Sequence, residues 1–227
     1  MWPTLRIGQR RPEGKARENA LGSFELALRE GAEGIALDVQ LSSDGVPVVI
    51  GDVRQNRRFP SRARRQQERI LLLSEILQWV RDQKCMAFVA IKHPPPGIEA
   101  KVLMEVDRAK VRHLTRVIAF NLRELRRLRQ LDAKVHLGLR FAGRPPAIRH
   151  AKALGAEVLL PHWSAASPSF IRRAHRASML VIPWTVDSPR QMRRTILGGV
   201  DGIITNFPAK LAEAVARLQK AVPGVPS

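Results

Sequence analysis

Eight short apolar segments separated by stretches of helical periodicity constrain the fold more than any other feature of this chain; they lie near residues 5–9, 34–41, 85–92, 116–120, 134–140, 157–161, 179–186 and 202–206. Strands that alternate with helices are expected to run parallel, because each helix carries the chain back across the sheet. Leu122, Leu125, Leu128 and Leu131 form one apolar helical stripe, and Leu211, Val215, Leu218 and Val222 another. Ser167-Pro168 and Ser188-Pro189 mark helix starts, a hydroxyl cap followed by a residue whose missing N–H costs nothing there. The pattern predicts a closed (β/α)8 TIM barrel. Residues 46–51 add a strand hairpinned to the second through Asp44-Gly45, a β-hairpin extension of the barrel. An open doubly wound sheet is the alternative, but no glycine-rich phosphate loop follows the first strand.

At 227 residues the chain suits one domain, with residues 1–222 as the barrel and 223–227 as a frayed tail. Its 44% hydrophobic content fits a globular protein, and no run of eighteen apolar residues reads as a membrane span. The first residues enter the first strand without a signal-peptide pattern, and a single Cys85 fits a reducing compartment, so a cytoplasmic location is expected. Cys85 stands at the head of a strand with no evident base beside it, which marks a packed core thiol.

The balance of 39 Lys+Arg against 20 Asp+Glu gives a net charge of +19 and favours anionic partners. Arg126, Arg127 and Arg129 read as an exposed helix face. Seven arginines between Arg54 and Arg69 crowd one segment with only Glu68 opposing them, and are expected to overhang the site. The chain has no Tyr, and basic residues without interleaved aromatics make nucleic acid an unexpected partner.

Residues 31–52 read Gly-Ala-Glu-Gly-Ile-Ala-Leu-Asp-Val-Gln-Leu-Ser-Ser-Asp-Gly-Val-Pro-Val-Val-Ile-Gly-Asp. This resembles the glycerophosphodiester phosphodiesterase family, whose core usually reads Gly-Ala-Asp-x-Ile-Glu-Leu-Asp-Val-x-Leu-Thr-x-Asp-Gly-x-Pro-Val-Val-x-His-Asp. The likeness continues in order along the chain. Ile7-Gly8-Gln9-Arg10 stands for Ile-x-His-Arg, and Glu18-Asn19-Ala20 for Glu-Asn-Thr. Phe88-Val89-Ala90-Ile91-Lys92 stands for the Ile-Glu-Ile-Lys strand. Trp184-Thr185-Val186-Asp187 and Gly202-Ile203-Ile204-Thr205-Asn206-Phe207-Pro208 match the late family elements. The resemblance implies the same barrel, with Gln9, Asp38, Asp52, Lys92, Trp184 and Asn206 at the C-terminal mouth.

The framework matches, but the chemistry does not. A Glu and an Asp two residues apart on one strand project to the same side, and in the family they share a divalent cation with a third carboxylate. Here those positions are Ala36, Asp38 and Ala90, leaving Asp38 as the one carboxylate for a weak Mg²⁺ or Ca²⁺ site. The two family histidines are Gln9 and Gly51, so no catalytic residue is expected. An amide cannot exchange a proton near neutral pH, and each acid–base group contributes about 10²–10⁴ in rate. Arg10 and Lys92 resemble phosphate-contacting family residues; an ion-pair network among Arg10, Lys92, Glu18, Asp38 and Asp52 is the structural alternative. In that network Asp38 satisfies Lys92. His162 and His93 are placed to reach the mouth, whereas His113, His136, His150 and His175 are not.

Three functions remain open. The first is a non-hydrolytic pseudoenzyme that holds a phosphate-bearing small molecule or acidic lipid head group through Arg10, Glu18, Asn19, Asp52, Lys92 and Trp184, with no cofactor. The second is a phosphoric diester hydrolase with a rebuilt site on Asp38, Asp52 or Glu18. The third is a basic scaffold on acidic lipid or nucleic acid. Ligand identity and oligomeric state are not encoded in any motif.

Overall fold

A computed structural model of the chain describes residues 4–9, 21–50, 70–91, 96–145 and 147–221. The strands are β1 (Leu5–Gln9), β2 (Gly34–Leu41), β3 (Pro47–Ile50), β4 (Met86–Ile91), β5 (Thr115–Ala119), β6 (Leu137–Phe141), β7 (Ala156–Pro161), β8 (Leu180–Val181) and β9 (Gly202–Thr205). The helices are α1 (Leu21–Arg29), α2 (Leu73–Gln83), α3 (Ile98–Arg108), α4 (Leu122–Leu131), α5 (Ile148–Ala153), α6 (Pro168–Arg176), α7 (Pro189–Leu197) and α8 (Pro208–Ala221). Parallel pairing runs in the order β8-β7-β6-β5-β4-β2-β1-β9, while β3 lies antiparallel on β2. This is the expected (β/α)8 barrel with its hairpin.

The seventh expected strand, 179–186, is regular only at Leu180–Val181 because Pro183 has no N–H to give a ladder. The segment nevertheless closes the barrel through its other groups. Trp184 N donates to Pro161 O at 3.0 Å on one side, and Ile204 N donates to Pro183 O at 3.0 Å on the other. Val186 N donates to Ile204 O at 3.0 Å, completing the seam.

Alternation along the strands sorts the apolar residues into two cores. Ile7, Phe88, Ile118, Val158, Ile182 and Ile204 fill the barrel interior. Ile35, Val89, Val117, Leu139, Leu159 and Ile203 face outward against the helices. Each such side chain contributes about 1.5–3 kcal/mol on burial, an upper estimate against a compact unfolded chain. Gly138 on β6 keeps the interior from overfilling, since a Cβ there would lie 2.7 Å from Ile118 Cδ1 and 2.8 Å from Leu160 Cδ1.

The capping signals hold. Ser167 Oγ accepts from Phe170 N and Ser188 Oγ from Gln191 N, both at 3.2 Å. Cys85 is buried just before β4, and burial pushes its thiol up to about 11, which suits packing rather than nucleophilic work. The hairpin turns at Gly45, whose φ of 75° is a conformation glycine adopts without strain. Among the described residues no helix is long and apolar enough to cross a membrane.

The arginines of α4 depart from expectation. Arg126 is exposed, but Arg127 pairs with the buried Glu99 at 3.4 Å. Arg129 donates to the carbonyls of Val135 at 3.1 Å and Gly155 at 3.0 Å, and to those of Asp132, Ala133 and Leu154. Arg129 is therefore structural, while Arg127 lies on the exposed face and reaches back to a buried carboxylate.

Candidate functional site at the barrel mouth

The strand registers bring the chemical positions of the sequence together. Gln9 lies beside Ala36 where β1 pairs with β2, and Asp38 lies beside Ala90 where β2 pairs with β4. Gln9, Ala36, Asp38 and Ala90 line a small hollow at the C-terminal end of the barrel, together with Arg140. Arg10, Glu18, Asn19, Gly51, Asp52, Lys92, His93 and the 54–69 segment lie outside the described residues.

Among the described residues, the most prominent charge at the mouth is one that the sequence reading did not single out. Arg140 projects inward from β6, two residues after Gly138, and crosses the lumen past β5 and β4 to reach Asp38 on β2. Its Nη1 is 3.5 Å from Asp38 Oδ1, with side-chain exposures of 10% and 13%. Asp38 therefore faces Arg140; the Lys92 partner expected from the sequence lies outside the described residues. The guanidinium carbon sits 3.8 Å over the Trp184 ring and 5.6 Å from the Phe120 ring centroid. Nε is buried without a hydrogen-bond partner among the described residues. Burial lowers the pKa of Arg140 and Asp38 partly offsets this, yet a guanidinium in such surroundings stays charged. One signal could have found it: an Arg inside Leu137-Gly138-Leu139-Arg140-Phe141, with the parity of the inward Gly138.

Trp184 both packs and supports. Its Nε1 donates to Leu160 O at 2.9 Å, fixing the ring under Arg140. His162 reaches the rim as expected, edge-on to Trp184 with ring centroids 5.5 Å apart, and its Nδ1 lies 2.7 Å from Ser164 Oγ. His136 is instead beside Glu157 at 2.8 Å, and His175 beside Asp201 at 2.8 Å. Gln9 is neutral and occupied, its Oε1 accepting from the Thr185 hydroxyl at 3.2 Å.

Asn206, expected at the mouth, knits the loops that frame it. Asp187 accepts from the Thr205 hydroxyl at 3.0 Å, from Asn206 N at 2.9 Å and from Asn206 Nδ2 at 2.8 Å. The late motifs thus hold the barrel seam together whatever the chemistry at its centre.

These positions offer a divalent cation poor terms. One carboxylate is present, the neighbouring sites carry methyl groups, and the carboxylate already faces a fixed positive charge. Among the described residues no group of three or more His, Cys, Asp and Glu side chains converges to hold a metal ion.

Comparison with known proteins supplies the family. The model of the glycerophosphoryl diester phosphodiesterase family matches residues 8–61 and 53–210. The chain belongs to that family. A glycerophosphodiester phosphodiesterase of Caldanaerobacter subterraneus subsp. tengcongensis is 28% identical over 239 residues, covering 94% of this chain and 98% of that one. One from Bacillus altitudinis is 28% identical over 225 residues, covering 86% and 91%.

Solved structures agree in fold. A glycerophosphodiester phosphodiesterase from Parabacteroides distasonis superposes with a TM-score of 0.81 at 23% identity, covering 95% of this chain and 98% of that one. An Oleispira antarctica phosphodiesterase, solved with the product sn-glycerol-3-phosphate, gives 0.79 at 21% identity, covering 93% and 96%. At such identity the likeness carries the barrel, not the reaction. Among the described residues, the glycerophosphodiester phosphodiesterase barrel is therefore present from β1 to β9.

Proposed function

We propose that this chain is a non-hydrolytic member of its family that binds a phosphate-bearing ligand at the barrel mouth without a resident metal. The carrying observation is the pairing of Asp38 with Arg140 across the lumen, between methyl side chains at Ala36 and Ala90. Hydrolysis of a phosphodiester needs a cationic clamp together with a base and an acid. Gln9 offers a hydrogen bond but no proton exchange, and Gly51 has no side chain to offer. What remains is an anion-friendly floor. The glycerol phosphate bound by the Oleispira antarctica relative supports the ligand class. The net charge of +19 favours recruiting such an anion, and one buried thiol suits a reducing, cytoplasmic setting.

The test is hydrolysis of glycerophosphocholine and glycerophosphoethanolamine with Mg²⁺ or Ca²⁺, read as released glycerol phosphate. The expected result is no release above a buffer blank. Turnover in the usual enzyme range of about 1–10³ s⁻¹ refutes the proposal, provided that it disappears in Asp38→Ala and so belongs to this chain rather than to a contaminant.

A further inference from the structure

The strongest unused feature of the molecule is the incomplete satisfaction of Arg140. A guanidinium carries five N–H donors, and its removal from water is costly unless acceptors replace the solvent. Arg140 is 8% exposed, yet its Nε has no hydrogen-bond partner among the described residues. Its contact with Asp38, at 3.5 Å, is longer than the 2.7–2.9 Å of a strong charged hydrogen bond. The faces of Trp184 and Phe120 hold the group from the sides without supplying an acceptor in its plane. The cavity in front of it is shared with Asp38, Gln9 and the methyl groups of Ala36 and Ala90. A cation is therefore fixed in a small cavity, oriented by two rings, with donor capacity that the described residues do not use.

We infer that Arg140 is the built-in cation of the barrel mouth, contacting a phosphate oxygen directly and making anion binding there independent of divalent metal. This rests on the reading of the mouth as a phosphate site, and it assigns the group that does the binding. Asp38 acts as the counter-charge that tolerates the guanidinium when no anion is present. Trp184, fixed through Leu160 O, keeps the guanidinium plane from swinging away. Small residues at 36 and 90 are part of the same arrangement, because a longer acidic side chain at either would compete for Arg140.

Two measurements test it. In the first, inorganic phosphate and sn-glycerol 3-phosphate are titrated calorimetrically into the wild-type chain in EDTA, in Mg²⁺ and in Ca²⁺. Affinity is expected to be the same in all three, and Arg140→Gln is expected to weaken it about 10–100-fold, the range of a lost charged hydrogen bond. Binding that appears only with metal, or an equal affinity in a folded Arg140→Gln variant, overturns the inference. So does failure of the wild type to bind either probe.

In the second, Ca²⁺ is titrated into Ala36→Glu/Ala90→Glu with Arg140 retained and again with Arg140→Met added. Calcium binding is expected only when Arg140 is removed, because the guanidinium holds the cation position. Equal calcium binding by both variants shows that Arg140 stands elsewhere and overturns the inference. This arm is independent of catalysis, so an active wild-type enzyme would defeat the proposed function while leaving the place of Arg140 to be decided by calcium.

Discussion

On the outer layer, Arg129 of α4 spends its N–H groups on main-chain carbonyls from the end of its own helix, from the approach to β6 and from the turn before β7. At the mouth, among the described residues, Arg140 meets one carboxylate at 3.5 Å and two aromatic faces, and its Nε has no partner. Both are arginines drawn out of bulk water. The first is satisfied by groups that exist only when the chain is folded, so its binding energy is folding energy. The second is held in position by the fold but not saturated by the described residues, which is the capacity we assign to a ligand. The contrast teaches how to separate structural from functional charge in a chain with 39 Lys and Arg residues. The useful quantity is the number of unspent donors, not the charge.

The largest stability effect should therefore fall on the outer layer. Arg129→Met removes donors from several carbonyls at once and is expected to cost about 2–3 kcal/mol in urea unfolding, the range for hydrogen bonds to a charged group. Phosphate affinity at the mouth should stay unchanged. The comparison breaks if Arg129→Met unfolds no more easily than the wild type.

A smaller effect is expected two residues earlier on the same helix. Glu99 is 2% exposed, sits in the first turn of α3, and pairs with Arg127 at 3.4 Å, while Arg127 itself is half in solvent. Arg127→Ala leaves that carboxylate buried without its cation. Solvent screening on the exposed side reduces the cost to about 1–2 kcal/mol. Adding Glu99→Gln should recover most of it, since the uncompensated charge is then gone. Additive losses in the double variant would show that the two residues do not communicate.

These arginines also show where the sequence stops being informative. The barrel was legible because periodicity and turn chemistry repeat along the chain: alternation sets β2, the Ser-Pro pairs start α6 and α7, and Asp44-Gly45 turns the hairpin. The framework around Ala36, Ala90, Gln9 and Gly51 was legible because it resembles a familiar pattern. The residue that faces Asp38 was not. Arg140 belongs to β6, and its meeting with Asp38 depends on strand parity, barrel curvature and side-chain length together. No local window contains those three. The same holds for Arg127, whose partner Glu99 lies on another helix, and for the Leu154 and Gly155 carbonyls that Arg129 reaches. Composition made all of these residues look like surface, and only their partners distinguish them.

The smallest stability effect, and the one that sharpens the comparison most, is expected from Asp38→Asn combined with Arg140→Met. Removing one member of a buried pair strands the other charge, but removing both charges at similar volume is often neutral or stabilising. Met can lie along the path of the Arg140 side chain between Trp184 and Phe120, and a sulfur against aromatic rings is a favourable contact. Asn keeps hydrogen-bonding capacity at position 38 without the carboxylate charge. Trp184 retains its bond to Leu160 O, so the platform should not collapse. Urea unfolding of this variant is expected to lie within about 1 kcal/mol of the wild type, with phosphate binding lost. A loss as large as that of Arg129→Met would place Arg140 among the structural arginines, and the distinction between the two regions would fail. Unchanged stability with lost binding is the signature of a charge that the barrel holds for something other than its own folding.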